Sequence, residues 1–344
     1  MRIVLFLFLF IAVFATSCQN NQSTKVSSEE QVSDTATIVA GDPQLVLLSK
    51  SINEAPTDVN RYINRADYYV ETKNYDLAFA DLEIAFYLDS MNANYYLSLA
   101  DLYLAVNQNI EARKILELNI ERNPKFAKSY IKIGELYYIN KQYKEAFKFI
   151  NDGLQIDKFS AKGYLLKGMC YKELADTTRA ISSFQTAIEQ DPEYLDAYMQ
   201  LGKIYMAQND NLALQYFKSA SRIEDGNGEG TFAIGEYYFS LGLFSKSLEV
   251  FKTLTSYDSS NYRAQFNLGL SYFSLNHMDS ALRSFENAIL TKPNYVAAYY
   301  MKGLAYEEKE QYNEALQEFT TANELDNSYR LARVGIQRVQ QKLK

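Results

Sequence analysis

Thiols and imidazoles carry much of protein chemistry near neutral pH, and this sequence holds three such groups: Cys18, Cys170 and His277. With one histidine and two cysteines, no zinc site, disulfide framework, Ser-His-Asp relay or Cys-His pair can be assembled. Carboxylates are plentiful, 42 in all, but they fall on helical faces, where runs of charge are solvated surface. No strand is expected, so no glycine loop between a strand and a helix can cradle a phosphate. The expectation is a protein with no catalytic residues, metal or cofactor. Cys170 stands among apolar neighbours at helical spacing and reads as a small buried hydrophobe. Cys18 is placed differently. It follows an apolar run over residues 3–14 and then the small residues Ala15, Thr16 and Ser17, a context that presents its thiol for modification.

An apolar run of about eleven or twelve residues is short for a bilayer span and fits the core of a secretory signal. The sequence Ala15, Thr16, Ser17, Cys18 resembles a bacterial lipobox, in the looser form found among Bacteroidota. The resemblance implies a thioether from Cys18 to lipid, cleavage of residues 1–17, and acyl chains such as palmitate on the new N-terminus. Residues 18–41 are mostly Gln, Asn, Ser, Thr and Glu and read as a flexible tether, since they cannot bury enough area to order themselves. Gln19 stands where an Asp would resemble an inner-membrane retention signal. The expected location is therefore the outer membrane, facing the periplasm, with surface exposure left open.

The chain has 344 residues, 47% of them hydrophobic, with 29 Tyr, 20 Phe and no Trp, which is enough apolar area for a substantial core. Its net charge of -7 repels phosphate and argues against nucleic acid as a partner. The C-terminal tail is the exception, with Arg330, Arg333, Arg338, Lys342 and Lys344. It reads as a solvated closing helix with cations near its negative end, the alternative being contact with anionic lipid or an acidic partner.

A period of 34 residues runs through residues 59–329 in eight copies, starting at Val59, Ala93, Ala127, Ala161, Leu195, Gly228, Tyr262 and Val296. Position 8 is always small, from Ala66 and Ala100 to Gly134, Gly168, Gly202, Gly235, Gly269 and Gly303. Position 11 is Tyr in every copy. Position 4 is Tyr except at Thr231 and Gln265, position 20 is small, and position 24 is large. The sets 4-8-11 and 20-24-27 each form one face of a helix, and the short gap between them forces an antiparallel pair. Small residues at 8 and 20 let the two helices approach, while the large residue at 24 fills the space beside them. One pair leaves a face bare, so neighbouring pairs must stack.

This pattern resembles the tetratricopeptide-repeat (TPR) family over about four-fifths of the chain. The resemblance implies an all-α, right-handed solenoid of antiparallel helix pairs whose first helices line a concave groove. Departures from the family pattern are the cations Arg65, Lys167 and Lys302 at position 7. Residues 42–58 look like a half-repeat cap opened by Asp42 and Pro43. Residues 330–344 look like a closing helix that turns Ala332, Ile336, Val339 and Leu343 to one side, at some cost from Gly335.

In such relatives positions 5 and 12 face the groove. Here they place Met199, Met206, Phe232, Phe239, Phe266, Phe273 and Tyr300 in the later copies, the expected partner-binding residues. Lys203, Glu236 and Glu307 border that stripe. The Lys and Asn that relatives use at positions 5 and 9 to clamp a C-terminal carboxylate are missing. The expected function is a lipid-anchored scaffold that holds a helix or extended segment of a protein partner in a cell-envelope complex. The rival is a glycan- or small-ligand-binding lipoprotein that uses the same aromatic groove; sugar sites normally add Trp.

One irregularity is residues 225–230, Asp-Gly-Asn-Gly-Glu-Gly. Asp225, Asn227, Glu229, Gly230 and Glu236 fit calcium-loop spacing, whereas the repeat register requires residues 229–236 to be helical. A glycine-rich joint fits the register better, and Thr231 and Gln265 in place of Tyr fit a looser joint there.

Overall fold

The structure, a computed structural model, describes residues 42–226 and 228–344. Cys18, the signal segment 1–17 and the tether 18–41 lie outside the described residues. Among those described there are eighteen helices and no strand, an all-α repeat solenoid built of antiparallel pairs. Contacts gather the described helices into two compact units, one ending at Asn123 and the other beginning at Pro124.

In the first unit a single helix α1 (Pro43–Glu54) precedes the pairs α2 (Val59–Glu71) with α3 (Tyr75–Leu88) and α4 (Ala93–Ala105) with α5 (Asn109–Arg122). The second unit holds six pairs and a closing helix. The first helices of its pairs are α6 (Ala127–Ile139), α8 (Ala161–Glu173), α10 (Leu195–Ala207), α12 (Glu229–Ser240), α14 (Tyr262–Ser274) and α16 (Val296–Glu308). Their partners are α7 (Tyr143–Ile156), α9 (Thr177–Gln190), α11 (Leu212–Ile223), α13 (Phe244–Tyr257), α15 (Met278–Thr291) and α17 (Tyr312–Leu325), and α18 (Arg330–Lys342) closes the chain. Asp42 caps α1 by accepting from the amides of Gln44 and Leu45 at 3.0 and 3.3 Å, which satisfies two of the orphan donors of a helix start.

Every first helix ends in the same way. The residue at position 15 has φ between +55° and +70°: Lys73, Asn107, Lys141, Ala175, Asn209, Gly242, Asn276 and Glu310. The next amide then reaches back to the carbonyl of the position-11 tyrosine, at 2.7 to 2.9 Å in all eight copies. That 6→1 bond is the Schellman closure, and it reverses the chain within two residues. Position 11 therefore serves twice, by its ring and by its carbonyl.

The contact within each pair explains the small residue at position 8. A Cβ added to Gly168, Gly235, Gly269 or Gly303 would lie 2.5 to 2.7 Å from the position-24 ring of Phe184, Phe251, Phe285 or Phe319. Each of those rings is fully buried, which is worth about 1.5–3 kcal/mol in apolar transfer. The first unit meets the same volume constraint with the opposite choice, pairing Ala66 with Leu82 and Ala100 with Leu116, all buried. Gly335 has the same function: its missing Cβ would stand 2.9 Å from Phe319, so the helix propensity it forgoes allows α18 to close on that ring. Val339 and Ala332 are buried with it, Ile336 is half-buried, and Leu343, expected on that side, is exposed.

Position 4 ties six of the eight first helices to the turn before them. The hydroxyls of Tyr62, Tyr96, Tyr130 and Tyr299 donate to the carbonyls of Pro56, Ser90, Pro124 and Pro293 at 2.7 to 3.1 Å. The two exceptions make equivalent bonds: Gln265 Nε2 donates to Ser259 O at 3.4 Å and Thr231 Oγ1 to Gly226 O at 2.7 Å. Thr231 and Gln265 thus keep a bond to the preceding turn although neither is Tyr.

The position-7 cations are also accounted for in two of three cases. Arg65 donates from Nε and Nη2 to the two oxygens of Asp81, each at 2.7 Å, and from Nη1 to Ser49 Oγ at 3.2 Å. Lys302 pairs with Glu318 at 3.0 Å and with Glu286. Each cation thus meets side chains sixteen residues before and after it, on the second helices flanking its own.

Candidate functional site

The thiol and imidazole do not combine into a site. Cys170, the free cysteine among the described residues, is buried in α8, and burial followed by the charge of Glu173 pushes its pKa up to about 11. His277 sits exposed at the start of α15. No group of three or more His, Cys, Asp or Glu that could hold a metal occurs among the described residues.

At residues 225–230 helix α12 begins at Glu229 and carries Glu236 within it. A twelve-residue calcium loop ending at Glu236 would need those residues unwound, and Asn227 lies outside the described residues. Asp225 and Gly226 take positive φ, +54° and +84°. Glu224 reaches across the turn to accept from the amides of Glu229 at 3.2 Å and Gly230 at 2.7 Å, so a carboxylate caps the positive end of α12. Gly230 lies against the backbone of Ala220 and Ser221, where a Cβ has no room. The glycines here serve a sharp turn and a close helix contact.

The seven apolar residues expected along the groove divide into two rows. Position 5 is interior on α10 and α12. Met199 and Phe232 are 8% and 4% exposed. Met199 shares a core with Phe217, and Phe232 meets Phe251 edge-on at 5.3 Å. The guanidinium of Arg263 lies 4.2 Å from the centre of the Phe232 ring, held by Glu229 at 2.6 Å. Phe266 and Tyr300 are half-buried and tilt against Phe285 and Phe319 at 5.7 and 5.6 Å. Phe266 further meets Tyr295, and Tyr300 meets Tyr329. The expectation that Met199 and Phe232 offer surface to a partner is corrected. Helices α10 and α12 each pack against the second helix of their own pair and that of the preceding pair, which encloses position 5 on both.

Position 12 differs. Met206, Phe239 and Phe273, on α10, α12 and α14, are half-buried. They stand at the turn end of each hairpin, where less of the fold covers them; Phe239 meets Phe244, the first residue of α13, at 5.1 Å. In the last copy Glu307 takes position 12 and holds Arg338 of α18 by two bonds of 2.5 and 2.6 Å. Glu307 is thus engaged by the closing helix, whereas Lys203 and Glu236 remain exposed beside the row.

Two family models, each described as tetratricopeptide repeat, match this sequence: one over residues 127–159 and 161–194, the other over 232–282 and 269–329. Among solved structures, the C-terminal part of a TPR repeat-containing protein from Cytophaga hutchinsonii is similar at a TM-score of 0.55 and 17% identity, covering 69% of this chain and 98% of its own. A tetratricopeptide repeat protein from Parabacteroides merdae gives 0.53 and 14%, covering 72% and 98%. A chain of the APC/C hetero-tetramer Cut9–Hcn1 gives 0.54 and 15%, covering 93% of this chain and 60% of its own. At these identities the likeness is one of fold. No curated protein matches the sequence.

Proposed function

Because the chain belongs to the tetratricopeptide-repeat family, we propose that it is a scaffold that holds a helix or extended segment of a protein partner against the position-12 row of the second unit. The observation that carries this reading is that Met206, Phe239 and Phe273 recur on three successive first helices and stay only half-covered by the fold. Apolar surface repeated at fixed spacing suits spaced anchors on a partner segment, and aromatic side chains are common binding hot spots. Lys203 and Glu236 beside the row supply the polar rim that favours one orientation.

The proposal extends to location. Ala15, Thr16, Ser17 and Cys18 after an apolar run support lipid on the Cys18 thiol, and the polar residues 18–41 would let the repeats reach away from the bilayer. The chain would then act as a lipid-anchored, periplasm-facing adaptor of an envelope complex. Two acyl chains give stable anchoring where one does not. Replacing the thiol (Cys18→Ala) should shift the protein out of the outer-membrane fraction and remove the lipid from its mass; unchanged partitioning would contradict the anchor. A photoreactive residue in place of Phe239 should crosslink one envelope protein in intact cells. The same probe in place of Leu290, exposed on α15, should not. Equal capture from both positions would contradict the row.

A further inference from the structure

Three copies carry a cation at position 7, and two of them neutralise it. Arg65 is flanked, sixteen residues to either side, by Ser49 and Asp81; Lys302 is flanked by Glu286 and Glu318. The same register around Lys167 gives Asn151 and Ser183, neither of them acidic. At position 19, where the last copy has Glu314, this copy has Arg179. In four of the other five copies position 7 and position 23 are both apolar: Leu99 with Ile115, Ile133 with Phe149, Leu201 with Tyr216 and Ile234 with Val250; the fifth pairs Leu268 with Ser284. Lys167 is the one position-7 cation among the three with no acid at either flanking position.

The structure shows what surrounds it. Lys167 is half-buried and has no ion-pair partner among the described residues. It lines a cleft of about 230 Å³ between α8 and α9 with Tyr164, Tyr171, Arg179, Ser182, Ser183 and Thr186. No carboxylate is among those residues. Ser183 and Thr186 donate their hydroxyls to the carbonyls of Arg179 and Ser182, one turn back, at 2.8 and 3.0 Å. Arg179 stacks over Tyr171 at 5.6 Å and pairs at the exposed rim with Asp176 at 3.4 Å. A half-buried ammonium with no acid beside it leaves room for an anion in the place that Asp81 and Glu318 take beside Arg65 and Lys302.

We propose that this cleft binds a carboxylate supplied from outside the chain, with Lys167 as its counter-ion and Arg179 at its rim. The sister copies indicate the chemistry, because the group they place against the position-7 cation is a carboxylate of their own. The site lies on position 7 and on α9, away from groove positions 5, 9 and 12, and it does not depend on the partner surface proposed above. The acid could reside on a free small molecule or on a protein side chain; the site requires only the carboxylate.

Brief acetylation of the full chain, read lysine by lysine by mass spectrometry, tests this directly. Sodium succinate or the blocked peptide acetyl-Gly-Glu-Gly-amide, each against sodium chloride of equal ionic strength, should slow the labelling of Lys167 several-fold. Lys172, exposed on the same helix, should be unaffected. Stronger protection by the peptide assigns the acid to a protein and the reverse order to a free acid; either upholds the site. In Ser183→Glu, which copies the Lys302–Glu318 arrangement, Lys167 should be slow without any ligand and gain nothing from one. In Ser183→Ala the ligand effect should persist. Labelling of Lys167 that ignores both carboxylates, protection that survives unchanged in Ser183→Glu, or protection by phosphate at lower concentration than by either carboxylate would overturn the assignment.

Discussion

Phe232 and Phe239 lie on one helix, two turns apart, and face nearly the same way, yet they do different work. Phe232 is enclosed by Phe251 and by the Arg263 guanidinium, whereas Phe239 meets the start of α13 and stays half-buried. The same division separates position 5 from position 12 along α10 and α12. On these two helices, residues of like hydrophobicity and helical phase are thus enclosed or only half-buried according to which end of the hairpin they occupy. Helical phase tells which side of a helix is apolar; only the neighbouring helices decide how much of that side is covered.

The largest expected effect belongs to the enclosed ring. Phe232→Ala should cost about 3–5 kcal/mol, seen as a marked fall in the denaturation midpoint, because it leaves a cavity beside Phe251. A loss no larger than that of Phe239→Ala would erase the distinction between the rows. Next comes the glycine between them. Gly235→Ala sets a Cβ 2.6 Å from the Phe251 ring, and overpacking of this kind costs about 1–3 kcal/mol. Combined with Phe251→Leu it reproduces the Ala66 and Leu82 pairing of the first unit, so the double variant should be more stable than the sum of the two single changes predicts. Strict additivity would show that volume does not couple the two positions.

The smallest effect concerns position 9, which lies between 5 and 12. Burial holds the carboxyl of Asp67 above its ordinary range, with the charges of Asp101 and Glu71 adding to this and a hydrogen bond from Ser98 opposing it. A raised folded pKa means that the folded state takes up the proton more readily, so this group's stability contribution is present at low pH and lost as pH rises through the folded value. Asp67→Asn should therefore stabilise the first unit slightly at pH 7, and the gain should vanish below the ordinary value of 3.8. A gain that persists in acid would mean that the carboxylate is well solvated.

The repeat itself was legible in the sequence because it is written in residue size. Small side chains at 8 and 20 and large ones at 24 recur at fixed spacing, and the structure shows them touching. The fold's exceptions were harder to read. Thr231 and Gln265 differ from Tyr in type but keep the bond to the preceding turn, and a hydrogen bond of that kind leaves no pattern in hydrophobicity. The left-handed residue at position 15 includes Lys73, Ala175 and Glu310, which carry no turn signal of their own. Burial of Met199 and Phe232 depends on helices one repeat away. The partners of Arg65 and Lys302 could have been found, since an acid recurs sixteen residues after each, and the same comparison singles out Lys167.

The division between the rows is tested most directly by measuring partner affinity and melting temperature on the same variants. Phe239→Ala with Phe273→Ala should weaken partner binding by about 2 kcal/mol or more, on the order of thirtyfold in Kd. The melting temperature should move by less than about 4 °C, because neither ring is enclosed. A fall in stability as large as that of Phe232→Ala, or partner affinity left unchanged, would contradict the account and return position 12 to the core.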